Sequence, residues 1–145
     1  MKFFYSLIIS FSFLSLNAEI WKDYEPSEEM VQLTVVSVQS NYLDNYLVNL
    51  KKTWVRGMEV QKDLGYIVDY GVWTSDSANS PNVWLTITYP NMDAMQPSKA
   101  KYDAVNAELQ KRYGDDEEEL DVIAKGYEEI RKMVDHQIIN QVKFN

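Results

Sequence analysis

Two runs decide the fold: Tyr66-Ile67-Val68-Asp69-Tyr70-Gly71-Val72-Trp73 and Val83-Trp84-Leu85-Thr86-Ile87-Thr88-Tyr89-Pro90. Both are short, rich in β-branched and aromatic residues, and bounded by breakers. Between them lies Thr74-Ser75-Asp76-Ser77-Ala78-Asn79-Ser80-Pro81, a polar connection. The pair is predicted to be a long hairpin. In the second run Val83, Leu85, Ile87 and Tyr89 share one face, and Trp84, Thr86 and Thr88 share the other. In the first, Val68, Tyr70 and Val72 alternate with Asp69, Gly71 and Trp73. The aliphatic faces suit a core under helices. Each strand then offers one Trp on its other face.

Upstream, Met30 to Gln39 is predicted as the first strand. Val31, Leu33, Val35 and Ser37 fall on one side, and Gln32, Thr34, Val36 and Val38 on the other. Apolar residues on both sides suit a central strand covered on both faces. Asn41 to Leu64 carries Leu43, Leu47, Leu50, Trp54, Met58 and Leu64 at spacings of mostly three to four, with Tyr46 beside them, an amphipathic helix. Ser40 or Asn41 can cap its start, and Gly65 suits the left-handed position past its end. Lys51, Lys52, Arg56 and Lys62 mostly face away from the stripe, as a solvated face does.

Downstream, Ser98 caps a helix to about Tyr113, with Ala100, Ala104, Val105, Ala107 and Leu109 inward. Gly114 interrupts it. Asp115-Asp116-Glu117-Glu118-Glu119 opens another helix, where acids oppose the positive helix start. Consecutive acids point around a helix rather than at one ion, so no metal site is assigned. The last helix, with Leu120, Ile123, Tyr127, Ile130 and Val134 inward, runs to about Val134. From Asp135 to Phe144 the period becomes two, a final strand; a continuing helix is the competing reading.

The chain has 145 residues and one expected domain, 30–145. Met1-Lys2, the apolar Phe3–Leu16 and Asn17-Ala18 form an expected signal peptide, residues 1–18, shorter than the about 18–20 apolar residues a membrane span needs. Cleavage after Ala18 leaves 127 residues and removes Lys2, taking the formal charge from −8 to −9. Such acidity opposes binding to nucleic acid or an anionic membrane. There is no Cys, hence no disulfide, thiol nucleophile or lipid-anchoring cysteine. A secreted or periplasmic location is expected. Glu19 to Glu29, with Trp21, Tyr24 and Pro26, is expected to be an extended N-terminal arm.

The order strand, helix, strand, strand, helices, strand predicts an α+β, ferredoxin-like split βαβ domain. Four antiparallel strands carry helices on one face. The other face holds Trp84, Trp73 and Val35 or Val36, depending on register. An uncovered apolar face predicts a partner.

That order, the uncovered face and Thr86-Ile87-Thr88-Tyr89-Pro90 leading to a short helix resemble the dimeric α/β-barrel superfamily, over Met30 to Phe144. Its members include antibiotic-biosynthesis-type monooxygenases. The resemblance implies a homodimer packed sheet to sheet, with a cavity between each sheet and its helices. Members include cofactor-free oxygenases, haem-degrading enzymes, lyases and binding proteins. Haem is thus the one cofactor in view, and none is assigned. The Asn, Trp and His of the haem-degrading members match nothing in this chain by spacing.

His136, the only histidine, is a candidate general base, or an ordinary hydrogen-bonded residue at a strand start. Asp69 is a candidate proton acceptor if buried, or an ordinary edge-strand charge if exposed. Trp54, Tyr70, Trp73, Trp84 and Tyr89 are candidates to line a pocket for a flat apolar ligand, or to form core and interface. The expected function is exported binding of a small apolar or aromatic molecule. The alternatives are a cofactor-independent oxygenase-like or isomerase-like enzyme using His136 or Asp69, and a protein-interaction domain.

Overall fold

A computed structural model describes residues 18–77 and 80–145. The expected signal peptide therefore lies, but for Ala18, outside the described residues. Strand β1 spans Tyr24–Val38, and a helical run follows: a 3-10 turn Ser40–Tyr42, α1 Leu43–Leu50, a π turn Lys51–Val55 and α2 Arg56–Asp63. The hairpin strands are β2 Asp69–Thr74 and β3 Val83–Tyr89. Helices α3 Lys99–Tyr113 and α4 Glu117–Ile130 precede β4 Arg131–Phe144. No helix among the described residues is long and apolar enough to cross a membrane.

The sheet order is β2-β3-β1-β4, and every neighbouring pair is antiparallel. This is the ferredoxin-like arrangement, α+β with helices on one face. Val36, Val38, Val83 and Leu85 meet Tyr46, Leu50 and Tyr127 of the helices in the main core. Met58, Ile67 and Ile87 make a second cluster, and Trp54 packs against both. Val35 pairs with Trp84, and Val36 with Val83. The register thus places Val35, not Val36, on the uncovered face. So β1 is central, as expected, but covered by helices on one side only.

Local chemistry explains the helix ends. Gly65 adopts φ +73°, with its N–H donating to Lys62 O and the Tyr66 N–H to Gln61 O. That pair of bonds closes the helix C-terminus in a Schellman turn. Ser98 accepts from the Lys101 N–H, as its capping role requires. At the other start, neither Ser40 nor Asn41 caps by its side chain; the 3-10 turn takes that place. The π turn interrupts the expected single α-helix at β-branched Thr53 and Val55. The Thr53 hydroxyl donates back to Asn49 O, which helps loosen that turn.

The first and last strands along the chain differ from their expected bounds. β1 begins at Tyr24 rather than Met30, because Tyr24–Pro26 pair with Phe144–Val142 of β4. A bulge between Pro26 and Met30 accommodates Ser27, Glu28 and Glu29, and the Asn140 amide holds it by donating to Ser27 O (2.6 Å) and Glu29 O (2.9 Å). The last helix ends at Ile130, not near Val134, because Arg131 and Lys132 are drawn into the ladder opposite Val38 and Ser37. Val134, expected inward, is exposed. In α3, Ala104, Val105 and Leu109 are half-buried, while Ala100 and Ala107 are exposed, so this helix rests on the domain rather than sinking into it.

Candidate functional site

The five aromatic candidates divide across the sheet. Trp54, Tyr70 and Tyr89 lie on the helix side, and Trp73 and Trp84 on the bare side. They do not line one pocket. Trp54 meets Tyr70 edge to face, with centroids 5.7 Å apart at 85°. The Tyr70 hydroxyl donates to Glu59 Oε1 at 3.4 Å, and burial, helped by the Glu59 charge, raises its phenol pKa. Burial alone raises that of Tyr89, whose hydroxyl donates to Gln32 Oε1 at 3.5 Å. These three side chains join core clusters; they are packing first.

Trp73 and Trp84 are directly paired across β2 and β3. Trp73 is 62 % exposed, and its indole N–H reaches Thr86 Oγ1 at 3.4 Å. Beside them on the same face stand Val31, Leu33 and Val35 of β1. The centre of this face is apolar, and the charges Asp69 and Asp135 stand on its two edge strands.

The two candidate proton acceptors lie on opposite edges. Asp69 opens β2 and His136 belongs to β4, three strand spacings or about 14 Å away across the sheet and three residues out of line along it. Asp69 shares its face with Thr88, whereas His136 pairs with Thr34 on the helix-side face. Asp69 is exposed and bonded to Lys62 Nζ at 2.7 Å. That bond, then the Tyr70 N–H, hold its pKa below the ordinary value, opposite to the rise that burial would bring. The edge-charge reading of Asp69 therefore replaces the buried-acceptor one. His136 is exposed, with Nδ1 3.2 Å from Thr34 Oγ1, and neither residue lines a cleft described below.

A site that the aromatic pattern did not reveal lies among the helices. The π turn, α2, α3 and α4 enclose a cleft of about 450 Å³. Its apolar wall is Leu109, Tyr113, Leu120 and Ala124, and Lys52, Thr53, Arg56 and Asp121 bring polar groups to it. Arg56 lies over the Tyr113 ring at 4.2 Å and bonds Asp116 at 2.8 Å. Lys52 pairs with Glu119. Thr53 Oγ1 lies 2.7 Å from the Tyr127 hydroxyl, pinning the π turn to α4. π turns recur at functional sites because the inserted residue re-aims its neighbours. In sequence, Lys52 and Arg56 have the spacing of a solvated face, and only the packing of α3 and α4 turns them into a wall.

A second cleft of about 280 Å³ lies against Tyr66, Tyr89 and Lys101, and an open polar one of about 570 Å³ beside Trp21, Glu25, Glu28 and Glu29. Among the described residues, no group of three or more His, Cys, Asp or Glu is placed to hold a metal ion.

No family model and no curated protein matches the chain. Among solved structures it is similar to a dimeric ferredoxin-like protein from an uncultured marine organism, at 12% identity, with 83% of this chain and 96% of the other covered and a TM-score of 0.33. With an overlap that loose, the fold rests on the strand order itself. The comparisons give no support to a link with the antibiotic-biosynthesis monooxygenases.

Proposed function

We propose that this is an exported, non-catalytic binding protein, working as a homodimer stacked through the bare sheet face. Its ligand is a small molecule with an apolar body, held in the cleft between the π turn, α3 and α4. The cleft is the observation that carries this reading. Its volume of about 450 Å³ falls within the roughly 300–1,000 Å³ of small-molecule sites. Its wall combines aliphatic side chains with a few polar groups, the mixture that binds and orients such a ligand. Support for a binder over the enzyme alternative comes from His136 and Asp69, which stand on opposite edges and faces of the sheet. Export rests on the sequence of residues 1–18.

Native mass spectrometry of protein recovered from its own host tests this reading. The native chain is expected to carry a retained small molecule, and Ala124→Trp, which fills the cleft from an exposed position, is expected to lose it. An empty native protein, or equal retention by Ala124→Trp, overturns the assignment.

A further inference from the structure

The two edges of the sheet are treated differently. β2 is six residues long, and it carries an ion-paired Asp69 and Gly71, features that discourage another strand from adding. β4 is fourteen residues long, and its charges Lys132, Asp135 and Lys143 make no ion pair among the described residues. It pairs with β1 on one side only. Apolar residues stand exposed on both of its faces: Ile139 at 41 % on one, Ile138 at 51 % and Phe144 at 84 % on the other. A long edge with exposed apolar residues leaves a row of backbone donors and acceptors that another strand can satisfy.

We infer that the occupant of this edge is β4 of a second copy, paired antiparallel about a two-fold axis at Ile139. The strand's own sequence carries the register. With Ile139 opposite its own copy, Asp135 falls opposite Lys143 and Gln137 opposite Gln141. Each of these pairs occurs twice, once on either side of the axis. On the opposite face Val134 falls opposite Phe144. On the Ile139 face charges meet opposite charges and amides meet amides, as cross-strand neighbours require, while on the other face Ile138 falls opposite Asn140 and His136 opposite Val142. Lys143 stands opposite Glu25 in β1 but makes no ion pair among the described residues, so its ammonium can reach the second copy. An isologous contact of this kind closes on itself and consumes the edge.

The contact is separate from the stacked sheet face, and each is broken by its own substitution. Because the chain has no Cys, a single introduced thiol is unique. Ile139→Cys is expected to form a disulfide-linked pair under mild oxidation at least ten times faster than Trp21→Cys, an exposed control. In native mass spectrometry Asp135→Lys is expected to halve the particle mass, and Asp135→Lys with Lys143→Asp to restore it. These positions are exposed, so circular dichroism should match the native chain. Equal cross-linking at Ile139 and Trp21, or an unchanged mass for Asp135→Lys, overturns the inference. Loss of the Trp84 face contact alone leaves cross-linking at Ile139 intact.

Discussion

The Trp73 indole folds back over Gly71, so that a Cβ at residue 71 would stand 2.8 Å from Trp73 Nε1 and 2.8 Å from Thr86 Oγ1. Glycine therefore leaves the room in which the ring lies, beside Trp84 on the face without helices. Two Trp side chains on a face shared with Val31, Leu33 and Val35 make a candidate hot spot, since large aromatics carry most interface energy.

Trp84→Glu is expected to separate the stacked pair, because a carboxylate would be buried without a partner. Light scattering after size exclusion should show the mass of one subunit fewer per stacked contact, with far-UV circular dichroism unchanged. An unaltered mass places the interface elsewhere.

Asn82 is 3 % exposed and acts as an added rung of sheet. Its Oδ1 accepts from the Val38 N–H at 2.8 Å, and its Nδ2 donates to Val38 O at 2.9 Å. Removing the amide leaves two buried backbone groups unpaired. Asn82→Ala should cost about 2–3 kcal/mol, read as a shift in the urea midpoint. Asn82→Asp should cost as much, because it replaces the donor facing Val38 O with an acceptor. A loss below about 1 kcal/mol in both would mean that water replaces the amide.

Stability should fall at alkaline pH. Tyr70, Tyr89 and Tyr127 all hold their protons above the ordinary value of 10.0, chiefly through burial. As pH rises past about 10, the unfolded chain releases these protons first, so it is favoured. Their contribution is fully present below the ordinary value and is lost as pH rises through the folded one. Lys62, held up by its bond to Asp69, adds a slope of the same sign. Urea midpoints between about pH 8 and 12 for Tyr89→Phe and Tyr127→Phe should show a gentler alkaline decline than the native chain. An identical decline assigns the effect to other groups.

Gly65→Ala should destabilise by about 1 kcal/mol, because φ +73° strains any side chain at that position. Gly57 lies inside α2 with open space around it, so Gly57→Ala is the control and should be neutral or stabilising. Thermal denaturation of the two variants side by side checks the sign of each.

The sequence by itself determined what depends on neighbours a few residues away. Alternation from Val68 to Trp73 and from Val83 to Tyr89 specified the hairpin, whose first strand starts at Asp69, and the stripe from Leu43 to Leu64 specified a helical run. Gly65 and Ser98 marked a stop and a start through backbone geometry and one side-chain bond. Strand order followed from this sequence of elements. Tertiary structure alone decided what depends on partners far along the chain. Tyr24 is in a strand because Phe144 pairs with it, and Arg131 leaves the helix because Val38 claims it. The candidate aromatics fall on opposite faces because register assigns each one. Arg56 lines a cleft because Tyr113 and Asp116 come to it from the far side of the helical layer. Periodicity records which side of its own element a residue occupies, and packing alone sets what stands opposite.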